Sequence, residues 1–167
     1  MADRSATDML QPALLDRLTD NDPAQKVESK ERRAISMQKL RESVRRDLAW
    51  LLSTGRMETL LDLDAFPEIA HSVLNYGIPD ISGAMLDSER AQRLETAVRD
   101  AILHFEPRLN QSSLKVSVTA DPQSMQRNAL VFQIEAELWG RPLPQSIVWK
   151  SELDLESGSA KVSEADR

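Results

Sequence analysis

The sequence contains no cysteine and few aromatic residues. Without cysteine the chain has no disulfide framework, no thiol nucleophile and no thiolate metal site, which suits a reducing compartment. Aromatic residues make up 4% of the chain, so little surface is available for stacking bases or lining a sugar groove. No apolar run approaches the roughly 20 residues that a membrane-spanning helix needs, and the N-terminus leads into no secretory hydrophobic region. We therefore expect a soluble cytoplasmic protein with no direct membrane insertion.

The common signatures of nucleotide, hydrolase and metal sites are also missing. There is no glycine loop of the Walker type, no GxGxxG after a predicted strand and no GxSxG elbow. The two histidines, His71 and His104, have no carboxylate at ligand spacing, so we expect neither a metal nor another cofactor. The formal net charge of −6 argues against nucleic acid as a partner.

Two stretches have the apolar spacing of amphipathic helices, with repeats of three and four residues. The first runs from about Ile35 to Ser53, and the second runs from Ser88 to Phe105. Arg45 and Arg46 belong to a basic surface on the first helix. That surface is either a solvated face, which is the more common case, or a docking surface for an acidic partner or a phosphate backbone.

A shorter apolar stripe precedes these helices. It is formed by four leucines: Leu10, Leu14, Leu15 and Leu18. A helix of this length is marginal in isolation, so it needs the domain body or a partner to pack on. The polar stretch that follows predicts a linker. The chain is therefore divided into an N-terminal helix with a flexible linker (1–34), one α+β domain (35–156) and a frayed tail (157–167).

The second half of the chain alternates apolar and polar residues, as half-buried strands do. Three strands are predicted, at Leu114–Val118, Leu130–Trp139 and Ile147–Leu155. Their short connections predict an antiparallel meander. Since helices come first and strands later, we predict an α+β fold with N-terminal helices packed on a small antiparallel C-terminal sheet. Ile147–Leu155 is predicted to be an open edge strand, because it runs into the polar tail.

The change from helix to strand falls at Phe105-Glu106-Pro107-Arg108-Leu109. Pro107 lacks an amide donor and pushes the preceding residue out of the helical region, so the helix ends here. If the chain then runs extended, Glu106 and Arg108 project on the same side. A carboxylate and a guanidinium on one rigid joint can serve structure, binding or catalysis.

The catalytic hypothesis makes Glu106 the general acid of a glycosidase, with Asp100 or Asp121 as the second carboxylate. Such enzymes need two carboxylates about 5 to 10 Å apart and an acid whose pKa is raised. A neighbouring arginine acts in the opposite direction, because a nearby cation lowers a carboxyl pKa. Binding or structural use of the charged pair is therefore favoured over catalysis.

Three segments, read together, resemble a known family. They have the sequences SVRRDLAWLL (43–52), SVLNYGIPD (72–80) and FEPRL (105–109). In this order, ahead of a strand-rich C-terminus, they resemble the TssE family of type VI secretion baseplate subunits. That family belongs with the wedge proteins of contractile phage baseplates, a group often labelled lysozyme-like. The resemblance covers about Met9 to Leu155.

The resemblance implies a structural protein rather than an enzyme. A TssE subunit joins TssF, TssG and TssK in wedges around the VgrG spike and the Hcp tube, in a cytoplasmic baseplate attached to the inner membrane. It also provides the platform on which the TssB/TssC sheath starts to polymerise. The family's Glu-Pro-Arg motif supports wedge assembly, which implies a protein-binding role for Glu106, Pro107 and Arg108.

A second candidate interface follows from the residue pattern alone. Its members are the following: Leu10, Leu14, Leu18, Arg45 and Arg46. The alternative function is a peptidoglycan hydrolase that uses Glu106 as its general acid.

Overall fold

The computed structural model of the chain places its helices in the N-terminal half and an antiparallel sheet at the C-terminus, which confirms the predicted α+β class. It describes residues 12–19, 36–70, 72–80, 88–119, 129–139 and 144–165. Leu10, His71, Asp121 and the predicted linker from residue 20 onward lie outside the described residues. Within the described ranges, no helix is long and apolar enough to cross a membrane.

The described residues form helices, 3-10 turns and strands with the following bounds. The α-helices are α1 (Leu14–Leu18), α2 (Met37–Leu52), α3 (Pro67–Ala70) and α4 (Ser88–Phe105). The 3-10 turns are Met57–Thr59 and Val73–Asn75. The strands are β1 (Lys115–Thr119), β2 (Ala129–Leu138), β3 (Gln145–Asp154) and β4 (Ala160–Glu164).

The two long helices pack on one face of the sheet and enclose the core. α2 lies mainly against β4, and α4 lies mainly against β1. Ser36 is the N-cap of α2, because its Oγ accepts a hydrogen bond from the amide of Lys39 at 3.2 Å. Alternate residues of the strands point toward the helices, and the largest fully buried side chains are Trp149 and Phe132.

The C-terminal tail contains a fourth strand, so the prediction that residues 157–167 fray is wrong for residues 160–164. β4 pairs antiparallel with β3, and Val162 is buried in the core. A tight turn reverses the chain, because Asp154 Oδ1 accepts hydrogen bonds from the amides of Glu156 and Ser157. The sequence pattern missed this strand, since one buried valine among five residues is a weak alternation signal.

The prediction that Ile147–Leu155 forms an open edge is also wrong. The strand order is β1-β2-β3-β4, which makes β3 an inner strand. Ser151 lies opposite Phe132 on one side and opposite Val162 on the other, and it is fully buried. The error follows from the missed fourth strand, which takes the edge position. The edges of the described sheet are therefore β1 and β4.

Side chains of α2 bind the outward-facing backbone of β4. The amide of Ala160 donates to Ser53 Oγ at 2.9 Å, and the carbonyl of Val162 accepts from Arg45 Nη1 at 3.1 Å. Arg45, which the sequence placed in a candidate interface, is thus used within the molecule. These contacts occupy groups that would otherwise invite another strand.

The other edge is protected in the same way by α4. The amide of Val118 on β1 donates to Glu95 Oε1 at 2.7 Å. Because alternate residues of an edge strand turn their backbone groups outward, the amide of Val116 faces the same side as that of Val118. Each long helix therefore both covers the sheet and restricts pairing at one of its edges.

Residues 57–70 and 72–77 belong to a loop whose two ends are joined by backbone hydrogen bonds, and we call it the 57–77 loop. The amide of Arg56 donates to the carbonyl of Ile78 at 3.0 Å, and the amide of Ile78 donates to the carbonyl of Thr54 at 2.9 Å. Gly77 lies at this closure with a φ of 125°, and a Cβ there would lie 2.2 Å from the oxygen of Thr54. Both the backbone conformation and the available space therefore require glycine.

We predict that Gly77→Ala lowers the free energy of unfolding by about 2–3 kcal/mol, because the new methyl group meets backbone and the φ angle is strained. The matched control is Gly158→Ala, at a φ of 68° with nothing within 4 Å of the added Cβ. The control should cost only about 1 kcal/mol. Urea denaturation of the purified variants measures both values, and equal losses would contradict the steric role of Gly77.

Candidate functional site

The Glu-Pro-Arg joint forms a turn rather than the extended segment that the sequence predicted. The amide of Leu109 donates to the carbonyl of Glu106 at 3.3 Å, which closes the turn around Pro107 and Arg108. The amide of Trp139 then donates to the carbonyl of Arg108 at 2.9 Å and fastens the joint to the end of β2. Proline rules describe only neighbouring residues, so they could not foresee this bond to a later part of the chain.

Glu106 and Arg108 still project together, as the sequence predicted. The Arg108 guanidinium binds the Glu106 carboxylate with two nitrogens: Nε donates to Oε1 at 2.6 Å, and Nη2 donates to Oε2. The backbone amide of Arg108 also donates to Oε1, at 3.2 Å. Glu106 is only 3% exposed, so this carboxylate is buried and depends on its arginine partner.

The same guanidinium reaches across to α2. Arg108 Nη2 donates to Asp47 Oδ2 at 2.6 Å, and Nη1 donates to Ser43 Oγ at 3.1 Å. Burial by itself lowers the pKa of Arg108, but the hydrogen bonds and charges of Glu106 and Asp47 raise that pKa above its ordinary value. Arg108 therefore stays charged and joins the end of α4 to the middle of α2.

Sequence reasoning gave no role to Asp47 or Ser43. They lie 61 and 65 residues from Arg108, and nothing local to either segment indicates the contact. One signal was present: Ser43 and Asp47 are four residues apart, so they lie on the same face of a helix. Ser43 and Asp47 therefore form a small polar patch on a helix whose other polar positions are largely basic. If another part of the protein buries this patch, the Asp47 carboxylate needs a cationic partner.

The network extends through Arg46 to the N-terminal helix. Arg46 Nη1 donates to Asp16 Oδ1 at 2.5 Å, and Asp16 Oδ2 accepts from Ser43 Oγ at 2.7 Å. The hydrogen bond to Asp16 is the main cause of the raised pKa of Arg46. Burial raises the pKa of Asp16, but Arg46 and Ser43 outweigh that effect, and the net shift is downward. α1 is thus held to α2 by its polar face.

The apolar face of α1 points away from the domain. Leu14 is 71% exposed and Leu18 is 73% exposed. Leu10, the third leucine of the candidate interface, lies outside the described residues. The sequence left open whether this stripe packs on the domain or on a partner. In the described residues, α1 is attached to the domain through Asp16 and not through these leucines.

Arg46 also contacts the exposed aromatic ring of Trp50. The guanidinium carbon lies 5.1 Å from the centroid of the Trp50 ring, which is a cation–π distance. Trp50 is 50% exposed, and Arg46 is also partly accessible. This part of α2 therefore presents an aromatic ring and a guanidinium at the surface, next to the buried network.

The three segments that carried the sequence resemblance meet at this site. The first supplies Asp47, the second supplies Tyr76, and the third supplies Phe105 and the Glu-Pro-Arg joint. The Tyr76 hydroxyl lies 3.5 Å from the carbonyl oxygen of Asp47, and its ring meets the ring of Phe105 edge-on at 5.1 Å. Burial is the main cause of a raised pKa of Tyr76. One packed cluster thus explains why these residue types occur together.

The fold and this cluster together define an α+β domain braced by a buried charged network, with no catalytic arrangement among the described residues. Residues 38–143 match the family model of the baseplate wedge protein gp25, so more than half of the chain is covered. The chain belongs to the baseplate wedge protein gp25 family, which confirms the resemblance seen in the sequence. It is a structural component of a phage-tail-type baseplate, and it assembles with other baseplate components.

One solved structure with a similar chain trace is that of a candidate tail lysozyme from Geobacter sulfurreducens. The identity is 20%, the TM-score is 0.46, and the match covers 70% of this chain and 94% of that chain. No curated protein sequence matches the chain significantly.

We predict that Arg108→Ala lowers the free energy of unfolding by about 3–5 kcal/mol, because it leaves the buried Glu106 carboxylate without its cation. The matched control is Arg93→Ala, which removes an arginine whose i,i+4 pair with Glu89 is largely exposed. The control should change stability by less than about 1 kcal/mol. Thermal and urea unfolding of both variants test this, and an unchanged transition in Arg108→Ala would rule out the internal brace.

Proposed function

We propose that the chain is the TssE-type subunit of a type VI secretion baseplate. In this role it assembles with the TssF, TssG and TssK wedge subunits, close to the VgrG spike and the Hcp tube, in a cytoplasmic baseplate attached to the inner membrane. The observation that carries the proposal is the cluster in which the three TssE-like segments meet around Arg108. The gp25 family match supports the same class of machine.

The buried network favours docking because it holds the neighbouring surface in one arrangement. Arg108 is bound to Glu106, Asp47 and Ser43, so the joint and α2 cannot shift independently. Preorganised surfaces lose less conformational entropy on binding. Trp and Arg also contribute disproportionately to interface energies. We assign wedge binding to the Glu106-Pro107-Arg108 joint together with the surface of α2 that exposes Arg46 and Trp50.

Co-purification with TssF and TssG tests this assignment. Trp50→Ser should greatly reduce recovery of the complex while leaving the thermal transition largely intact, because the ring is half-exposed and does not belong to the hydrophobic core. The control is Arg93→Ser, which removes a long exposed side chain of α4, outside both the joint and α2. If wild-type protein fails to recover TssF and TssG, the type VI assignment is wrong. If only Arg93→Ser weakens recovery, the assignment to α2 is wrong.

The sheath platform is assigned to the β1 edge of the sheet. Among the described residues, two outward backbone groups of β4 are bound by α2, whereas one such group of β1 is bound, in the contact between Val118 and Glu95. An extended segment of TssB or TssC would add there through backbone hydrogen bonds. The sequence predicted that β3 is the open edge, and we assign sheath docking to β1 instead.

Val116→Pro removes an outward amide of β1 and should block sheath extension in cells, while wedge assembly continues. Ser117→Pro is the matched control, because its amide faces β2 and its loss should disrupt the sheet itself. Fluorescent sheath imaging and a pull-down of the wedge provide the two readouts. Normal sheath extension in a folded Val116→Pro variant would exclude β1 as the docking edge.

We assign no hydrolase activity to the chain. Both oxygens of the Glu106 carboxylate are bound by Arg108, and the nearby carboxylate of Asp47 is bound by the same guanidinium. Asp100, the other acid considered from the sequence, lies on the exposed side of α4 next to Arg99. A buried carboxylate tied to a cation is a poor proton donor for a glycosidic oxygen.

Purified protein should therefore not clear a suspension of peptidoglycan at any pH between about 5 and 8, the range in which a general acid of this kind would act. Turbidity is the measurement, with an active lysozyme as the positive control. Clearing that Glu106→Gln abolishes would establish the hydrolase alternative instead.

A further inference from the structure

The 57–77 loop exposes an unusual amount of apolar surface. Five large apolar side chains within it are solvent-exposed: Leu60, Leu61, Phe66, Val73 and Leu74. Leu60 is the extreme case, with 85% of its surface accessible. Single exposed apolar residues are normal, but five within one short segment are typical of an interaction surface.

The loop has a defined shape despite its short elements. Asn75 is buried at its centre, where Oδ1 accepts from the amide of Glu58 at 2.9 Å and Nδ2 donates to the carbonyl of Ala70 at 3.0 Å. One side chain therefore connects both 3-10 turns and α3. Leu63 is buried below them, and the backbone bonds at Ile78 close the loop. The exposed residues are thus carried by a fixed scaffold.

The border of this surface carries negative charge. Four acidic side chains are exposed within the loop: Glu58, Asp62, Asp64 and Glu68. The sequence contains no lysine or arginine between Arg56 and Arg90. Glu58 is paired with Arg56 at 3.4 Å, so the excess negative charge of the loop comes from Asp62, Asp64 and Glu68. Such an excess selects partners of opposite charge.

An apolar groove adjoins the loop and extends the same surface. It runs between the loop closure and the turn after β3, and its apolar lining includes Leu52, Leu60, Ile78, Leu153 and Leu155. Because Leu60 belongs both to the groove and to the exposed set, the two features are continuous. The charged residues that line the groove are Arg56, Asp80 and Asp154, so its lining holds one more acidic than basic side chain.

We propose that the 57–77 loop and its groove bind a segment of another baseplate chain in which apolar side chains are flanked by lysine or arginine. A second copy of this chain fits poorly, because two acidic borders would face each other across the contact. Residues 81–87 of the chain itself fit no better, since they have no basic residue to complement the border. The inference rests on membership of the baseplate family and not on the type VI assignment.

Site-specific photo-crosslinking tests the proposal in cells that express the full chain with its complete baseplate. A photoreactive phenylalanine analogue replaces Phe66, whose side chain is 58% exposed and is close in shape to the analogue. The control places the same analogue at Asp100, which lies on the exposed side of α4. Mass spectrometry identifies the crosslinked peptide, and the melting temperature of each purified variant establishes that it is folded.

The expected result is an adduct from Phe66 to a different baseplate chain, on a peptide with apolar residues beside lysine or arginine. Asp64→Lys combined with Glu68→Lys should reduce its yield by about tenfold, because the border then repels the partner. Glu89→Lys with Asp100→Lys, an equal charge change on α4, should reduce it by less than about twofold. Four outcomes would each overturn the proposal. They are the absence of a Phe66 adduct, an equal yield from position 100, an adduct to the same chain or to a second copy, and a yield that does not depend on the loop charges. A positive result stands even if TssF and TssG fail to co-purify with the chain.

Discussion

The burial of the Glu106 carboxylate is the constraint on which the rest of the site depends. A carboxylate at 3% exposure needs a cation and further hydrogen bonds, and Arg108 supplies most of them. The guanidinium has further N–H groups, which donate hydrogen bonds to Asp47 and Ser43 of α2. One buried charge therefore sets the position of α2 relative to the end of α4. Ser43, which accepts from Arg108, donates in turn to Asp16, so the N-terminal helix is joined to the same network.

The long helices have a second task besides closing the core. Ser53 and Arg45 of α2 bind the outward backbone of β4, and Glu95 of α4 binds that of β1. A small sheet with two open edges is prone to unwanted pairing. In a protein that assembles with other baseplate components, restricted edges direct association toward particular surfaces. Among the described residues, the large apolar side chains that remain exposed lie on α1, on the 57–77 loop, and at Trp50 and Trp139.

Under the proposed docking role, stability and assembly are linked because both use the same charged residues. The network around Arg108 braces the domain, and its outer members, Arg46 and the adjacent Trp50, reach the surface. A substitution within the network is therefore expected to change folding first and docking as a consequence. Substitutions outside it, such as those in the 57–77 loop, separate the two effects. This difference in burial decides which variants are informative about function.

The sequence by itself determined the α+β class, the two long amphipathic helices, the helix end at Pro107 and the inner strands β2 and β3. Each of these is specified by residues close together in the chain: an apolar spacing of three and four, an alternation of two, or a missing amide. The common side of Glu106 and Arg108 was predicted from an extended chain, whereas in the structure a turn brings the two side chains together. Only the tertiary structure decided that β4 takes the sheet edge, that the joint is a turn fastened to Trp139, and that Arg108 binds Asp47. Those contacts join residues far apart in the chain, and their partners are chosen by burial and charge compensation, which local patterns do not contain.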